Sequence, residues 1–241
     1  IIENRHNICN IPFTCFVFKE HMKKVIIIGA GAHAAEIEEY IIENNKIKPE
    51  FEIMGYLDDN QKNYQNSQLL FPLLGGVFSY EVGSNIELLL SISNLTLRSK
   101  IITYYKNKNI VFTNFIHHTS RVFRTAKLGV GNVICPYTQI GPNVVIRNYN
   151  TFNNKTSIGH NSQIGDNNMF CPNTGLSGNT IIGNNNFFSL NAVTVPNITI
   201  GDNNLIAPNM VVDKNIKSDS TFFHRFKEVV LVIPKDKQNE Q

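Results

Sequence analysis

His160 stands in the run KTSIGHNSQIGDNN (residues 155–168), among Gly, Asn and Ser with one isoleucine every six residues. A free imidazole titrates near pH 6.5, so this residue is either a proton acceptor mounted on a scaffold or a solvated side chain on a structural rod. A second chemical pattern lies in KKVIIIGAGAHAAEIEEYIIENN. There Gly29, Gly31 and Ala34 form G-x-G-x-x-A between an apolar run and a helical pattern, which turns backbone amides and a helix N-terminus toward a phosphate. Asp58 and Asp59 close the run FEIMGYLDD, about where such a unit places a carboxylate against a ribose or base.

Two periodicities must position these groups. Residues 25–28 are apolar without alternation, as in a buried parallel strand, and Ile37, Tyr40 and Ile41 share one helix face. FEIMGYL reads as a second strand, followed by FPLLGG, the apolar run IELLLSISN, a helix around LTLRSKIITYYKNKN and a short strand in NIVFTNF. This is a Rossmann-like α/β module of about 90 residues, too short for the second mononucleotide-binding half that a dinucleotide requires. It suits a single nucleotide diphosphate.

From Ile116 to Val212 every sixth residue is apolar, Thr194 excepted. Neither a helix nor an ordinary strand has that period; a hexapeptide β-helix does, with three hexads per triangular coil. Its corners need small residues or residues tolerant of left-handed backbone angles, and Asn fills many of them. Residues 18 apart stack, so His160 is expected between Pro142 and Gly178. The missing side chain at Gly178 leaves room beside the imidazole.

The expected organisation is therefore an extension of uncertain status at 1–21, an α/β module at 22–114, a β-helix at 115–216 and a tail at 217–241. A net charge of +3 with 17% charged residues gives no argument for nucleic acid or an anionic membrane. No apolar run approaches the length of a membrane span. Cys9, Cys15, Cys135 and Cys171 do not form a disulfide framework, which fits a reducing cytoplasm.

KKVIIIGAGAHA, GYLDD, FPLLGG, SISNLTLRSKI, NFIHHTS, SIGHNSQIGDNN, TGLSGNTIIG and AVTVPNITIGDNN follow one another in that order. In this the chain resembles the bacterial nucleotide-sugar acyltransferases, the UDP-4-amino-sugar N-acetyltransferase and sialic-acid O-acetyltransferase type. The resemblance spans residues 22 to about 230. It implies a Rossmann-like half domain followed by a left-handed β-helix, and a homotrimer with active sites between neighbouring β-helices. It implies an acyl-CoA, in the first place acetyl-CoA, as co-substrate and no metal. His160 takes the position of the general base, Asn161 that of the residue orienting it, and the Gly178 turn that of the oxyanion site. Gly29, Gly31, Ala32 and His33 fall by the nucleotide phosphates, Asp58 and Asp59 by the uridine end, and Asn94 and Leu95 along the sugar pocket. Arg98 could contact phosphate or make a surface ion pair.

The departures lie on the acyl-donor side. The family usually has Glu or Asp after the base; Asn161 can orient a ring nitrogen through its carbonyl but cannot stabilise imidazolium by charge. A second family histidine corresponds to Met169, and the small residues of the CoA channel to Leu190 and Pro208. FFHRFKEVV replaces a Gly-x-Pro-Ala segment, and its His224, Arg225 and Lys227 either meet CoA phosphates or form a solvated tail. The expected function is acyl transfer from acyl-CoA to the amine of a nucleotide-linked amino sugar for surface glycan synthesis. The alternatives are sugar O-acetylation and a nucleotide-sugar-binding protein without transfer. A γ-type carbonic anhydrase would need three histidines on one metal, whereas His160 is the sole histidine between His118 and His224.

Overall fold

The computed structural model describes residues 22–224; the extension at 1–21 and the tail residues Arg225 and Lys227 lie outside the described residues. The first half is built on a parallel sheet of β1 (Lys23–Ile28), β2 (Phe51–Leu57), β3 (Leu73–Gly75) and β4 (Ile86–Leu90), in the order β3-β2-β1-β4. Helices α1 (Ala32–Ile47), α2 (Gln61–Asn66) and α3 (Leu95–Asn107) connect or follow these strands. The unbroken apolar run of β1 is explained by its place in the sheet. Val25 and Ile27 pack against Ala34, Ile37 and Ile41 of α1, while Ile26 and Ile28 pack with Ile101, Ile102 and Tyr105 of α3. Successive side chains point to opposite faces and both faces are covered, so no polar residue is admitted.

The second half is a stack of two-residue strands from Phe115–Ile116 to Thr221–Phe222. They form three parallel sheets that face one another across a single apolar core. Pairing runs at 18-residue spacing: Ser157 with Gly175, Gln163 with Ile181, Met169 with Phe187. Core side chains therefore stack on their own kind, as in Phe152, Phe170 and Phe188, whose ring centroids are 4.9 Å apart at each step. The corner residues Asn143, Asn161, Asn179 and Asn197 all lie near φ +60°, the left-handed region that Asn tolerates best after glycine.

A second column of asparagines is buried. Asn132, Asn150, Asn168 and Asn186 are 0% exposed, and Asn204 is 2%. From Asn132 to Asn186 each side-chain oxygen accepts the backbone N–H of the asparagine one coil on, at 2.8–2.9 Å, and that of Asn204 accepts the Ser220 N–H at 2.8 Å. Asn150 and Asn168 also donate to the carbonyls of Gly165 and Gly183, both at 2.9 Å. The turn that cannot complete its ladder from backbone alone is thus satisfied by one amide per coil.

Two expectations from the sequence change. Thr221–Phe222 pairs with Leu205–Ile206, so the stack continues past residue 216. The final coil is 16 residues rather than 18, and the hexad count loses it. Arg98 is neither a phosphate ligand nor a surface ion-pair partner. It is fully buried and donates to Asn167 Oδ1 (2.8 Å), Thr151 Oγ1 (3.0 Å) and the carbonyls of Ile92 (3.0 Å) and Tyr149. Burial lowers its pKa to about 10, so it remains charged at neutral pH and fastens α3 to the β-helix. Cys135 and Cys171 are free thiols.

Asn168→Ala would leave the Asn186 N–H and the Gly183 carbonyl without partners. Urea unfolding should show a loss of about 3 kcal/mol. A loss below about 1 kcal/mol would mean that the asparagine column does not support the stack.

Candidate active site

The sheet order places the reversal of strand order between β1 and β4, and the crevice beyond their carboxyl ends is where open α/β sheets hold ligands. Gly29 turns there at φ +100, and a Cβ on it would lie 2.7 Å from Ser91 Oγ and 2.9 Å from Ile92 Cγ1. The loop after β4 therefore closes directly on the glycine turn. Gly31 caps α1 and faces open space, with nothing within 4 Å of where a Cβ would stand. Ala32 and His33 form the first turn of this 16-residue helix, the end that favours anions. His33 Nδ1 meets Glu36 Oε2 at 3.2 Å, and its buried Nε2 has no hydrogen-bond partner among the described residues.

Asp58 does reach this crevice, but as a clamp. Its carboxylate accepts the N–H of Ala30 (2.9 Å), the N–H of Asn60 (2.8 Å) and the amide of Asn63 (3.1 Å). Asp59 turns away to accept the Val77 N–H at 2.9 Å. Asn94 caps α3 by accepting the Leu97 N–H at 2.9 Å. Leu95 lines a groove of about 440 Å³ with Thr96, Ser99, Asn185 and Leu205, between α3 and the β-helix. A cavity of about 710 Å³ bordered by Lys23, Ile86 and Val111 lies at the amino ends of β1 and β4, opposite the glycine turn.

On the β-helix, His160 occupies the corner after Ser157–Ile158 and is exposed. The coil register sets its ring on Gly178: a Cβ there would lie 2.6 Å from both Cε1 and Nε2 of the imidazole. Any side chain at 178 would displace the ring. Asn161 sits beside it with φ +59, and its amide nitrogen is 3.0 Å from His160 Nδ1. Its oxygen accepts from Asn143 Nδ2 at 3.1 Å. The sequence suggests that the Asn161 oxygen faces the ring; in this arrangement the nitrogen does. A half-turn of both amides reverses every donor and acceptor in the Asn143–Asn161–His160 chain, so two tautomers of His160 can be satisfied. Asn143 is a partner that residue type alone does not mark, although it stands 18 residues before Asn161 and the period points to it.

The residues matched to the acyl-donor side are elsewhere on the chain. Met169 pairs between Thr151 and Phe187 and is 4% exposed. It lies on the face where Thr151 bonds Arg98, so it offers no surface to a thioester within one chain. Leu190 and Pro208 stack at the corner after Phe187–Phe188 and Leu205–Ile206, where both are exposed. The face bearing Gly175–Leu176 and Val193–Thr194 separates that corner from His160. On the other side of His160, Arg147, Gln163, Ile181 and Asn184 border a groove of about 290 Å³.

A search of curated protein sequences returns no match. Residues 24–105 match the family model of the PglD N-terminal domain. Among solved structures the chain is similar to PerB from Caulobacter crescentus in complex with CoA and GDP-perosamine, at 21% identity and TM-score 0.71, covering 82% of this chain and 92% of that one. It is also similar to the acetyltransferase domain of PglB from Neisseria gonorrhoeae FA1090 in complex with acetyl coenzyme A, at 21% identity and TM-score 0.72, covering 83% and 96%. WeeI from Acinetobacter baumannii AYE matches at 19% identity and TM-score 0.71, covering 82% and 94%. Residues 24–105 thus match a domain of the PglD N-terminal type, and over 82–83% of its length the chain shares the fold of these structures, a half-size α/β domain followed by a left-handed β-helix.

Proposed function

We propose that this chain is an acyl-CoA-dependent N-acyltransferase acting on the amino group of a nucleotide-linked amino sugar. Acetyl-CoA is the donor, and surface glycan synthesis in the cytoplasm is the setting. The observation that carries the reading is the His160 imidazole set on the bare backbone of Gly178, with an amide on its other nitrogen. Residues 22–114 would hold the nucleotide sugar and the β-helix that follows them the donor. PerB, similar in fold, binds CoA and GDP-perosamine, which supports this substrate class.

The glycine turn and the first turn of α1 would receive the diphosphate through Gly29, Gly31, Ala32 and His33, where open space and the helix N-terminus meet. Asp58 would act by holding that turn in shape through the Ala30 N–H, and Asn94 and Leu95 would border the sugar. His160 would take the proton from the sugar amine as its nitrogen bonds to the thioester carbonyl carbon. The Gly178 amide would donate to the resulting oxyanion. As the C–S bond breaks, the imidazolium would return the proton to the departing sulfur, leaving amide and thiol. The productive tautomer has the Nδ1 proton on the Asn161 oxygen and the Asn161 amide on Asn143, which frees the lone pair of Nε2.

Leu190 and Pro208 sit one corner away from His160, and Met169 is covered. A donor site using that corner needs a second chain to bring it to the base, and this supports a homotrimer with sites between protomers. Sugar O-acetylation would use the same base on a hydroxyl. The buried Met169 and the neutral Asn161 favour a second reading, nucleotide-sugar binding without transfer.

Release of CoA thiol from acetyl-CoA with a panel of nucleotide-linked 4-amino sugars tests the proposal. His160→Ala should lower kcat by about 10²–10⁴-fold, and undiminished turnover would remove His160 as the base. Asn161→Asp should fix the productive tautomer and raise kcat by roughly two- to fivefold; a fall would count against the tautomer argument. Gly178→Ala should displace the ring and cost about 10²-fold in kcat while the urea midpoint moves little. Binding of the nucleotide sugar with no thiol release for any donor would establish the second reading.

A further inference from the structure

Away from His160, three potential ligands converge where α1 meets the first coil of the β-helix. Glu43 lies on α1, and His117 and His118 directly follow the strand Phe115–Ile116. Consecutive residues on a strand point apart, but the chain turns here, and the two imidazoles lie 4.3 Å between centroids with a 40° tilt. His117 Nε2 is 3.4 Å from Glu43 Oε2, and His118 Nε2 is 3.9 Å from Glu43 Oε1. One ligand atom from each of the three residues falls within 4.8 Å of the other two.

Two further observations define what belongs between them. The His117 side chain is 1% exposed, and its Nε2 has no hydrogen-bond partner among the described residues. His118 has its tautomer set by Asn44. That amide is oriented by donating to the Ile116 carbonyl (3.1 Å), and its oxygen accepts the His118 backbone N–H (2.7 Å). The same oxygen faces His118 Nδ1 at 3.0 Å, so Nδ1 carries the proton and Nε2 presents a lone pair to the Glu43 carboxylate. His117 Nδ1 lies 2.8 Å from Thr119 Oγ1 and accepts the Thr119 backbone N–H at 3.3 Å, so an ion on Nε2 would displace the proton that the ring otherwise carries toward Glu43. The Nε2 lone pair of His118 and the Glu43 carboxylate face one another, an arrangement that a cation between them would favour.

We infer that Glu43, His117 and His118 form a site for a divalent transition-metal ion of the zinc class, joining α1 to the β-helix. Two nitrogen and oxygen ligands each about 2.0–2.1 Å from a tetrahedral zinc stand roughly 3.3 Å apart, close to the His117–Glu43 separation. The half-exposed Glu43 carboxylate can rotate to shorten the longer contact, and water completes the coordination. Asn44 holds the far ring nitrogen of His118, the outer-shell arrangement usual for metal-bound histidine. The ion is structural: it lies at the domain junction and takes no part in the His160 chemistry.

The test uses the full chain, stripped with EDTA and dialysed, then titrated with zinc sulfate by calorimetry and melted with and without zinc. The expected result is one zinc per chain and a rise in Tm of several degrees. Glu43→Gln and His118→Asn, both at exposed positions, should each weaken binding at least tenfold and abolish the rise, whereas His160→Ala should leave both intact. Cobalt should give the visible absorption of a four-coordinate site in the wild type and not in His118→Asn. Equal zinc binding in the wild type and both variants would overturn the proposal. So would an absence of zinc binding by the wild type.

Discussion

The 18-residue register of the β-helix is the constraint on which the remaining features depend. Parallel pairing of each two-residue strand with the one a full coil away fixes which residues meet, and the buried asparagine column holds it by one side-chain oxygen per coil. A slip by one residue would drive the apolar position outward and a polar one into the core, and would leave backbone groups unpaired throughout the turn. The juxtaposition of His160 with Gly178 has no other source. Neither residue is held by long side-chain contacts; they meet because their coils are stacked. The corner geometry contributes as much: Asn161 must be left-handed for the chain to turn, so the residue that addresses the imidazole also makes the bend.

The junction of the two halves is the second organising element. A fully buried guanidinium with only neutral acceptors is an unusual solution. Charge is spread over two carbonyls, a hydroxyl and an amide, and removing any of them leaves a cation with less than its full complement in a dry environment. That requirement makes Arg98 selective for one docking geometry of α3. Asn167 completes the contact by donating to the Leu95 carbonyl and Ser99 Oγ, so a β-helix corner and the start of α3 are bonded in both directions. Through α3 the crevice at the glycine turn is tied to the rod that carries His160.

Much of this is legible from residue types alone. The hexad pattern is visible because a buried apolar residue recurs at a period no other element shares, and the glycine turn because β1 must be apolar on both faces before it. Legibility fails where one residue type serves two environments. Arg98 reads as a surface or phosphate residue because arginine usually is one, yet it falls in line with Ile101, Ile102 and Tyr105, the inner stripe of α3. Resemblance puts Met169 with the acyl donor, but the strand position before Phe170 is outward only until the N-terminal domain covers that face. The end of the β-helix is hidden because a two-residue contraction erases the period. Asp58 stands at the end of β2 by the glycine turn, where backbone amides already reach its carboxylate, a contact that residue type does not announce.

The stacked register also bears on how the chain acquires its fold. Almost every contact in the rod joins residues one coil apart, so the sequence distance closed at each step stays near 18 however long the rod becomes. Folding can then advance as a zipper from any coil already formed, each added turn finding a ready template of unpaired backbone and a matching apolar surface. The topology is entirely β, yet the loop-closure entropy per step is small and constant, unlike that of sandwiches or barrels, whose distant strands must find each other. The slow event is the first coil, which has no template. Phe115 and Ile116 begin that coil, Phe115 packing in the core of the α/β half and Ile116 in that of the rod, so the α/β domain, made before the rod, is placed to serve as its nucleus.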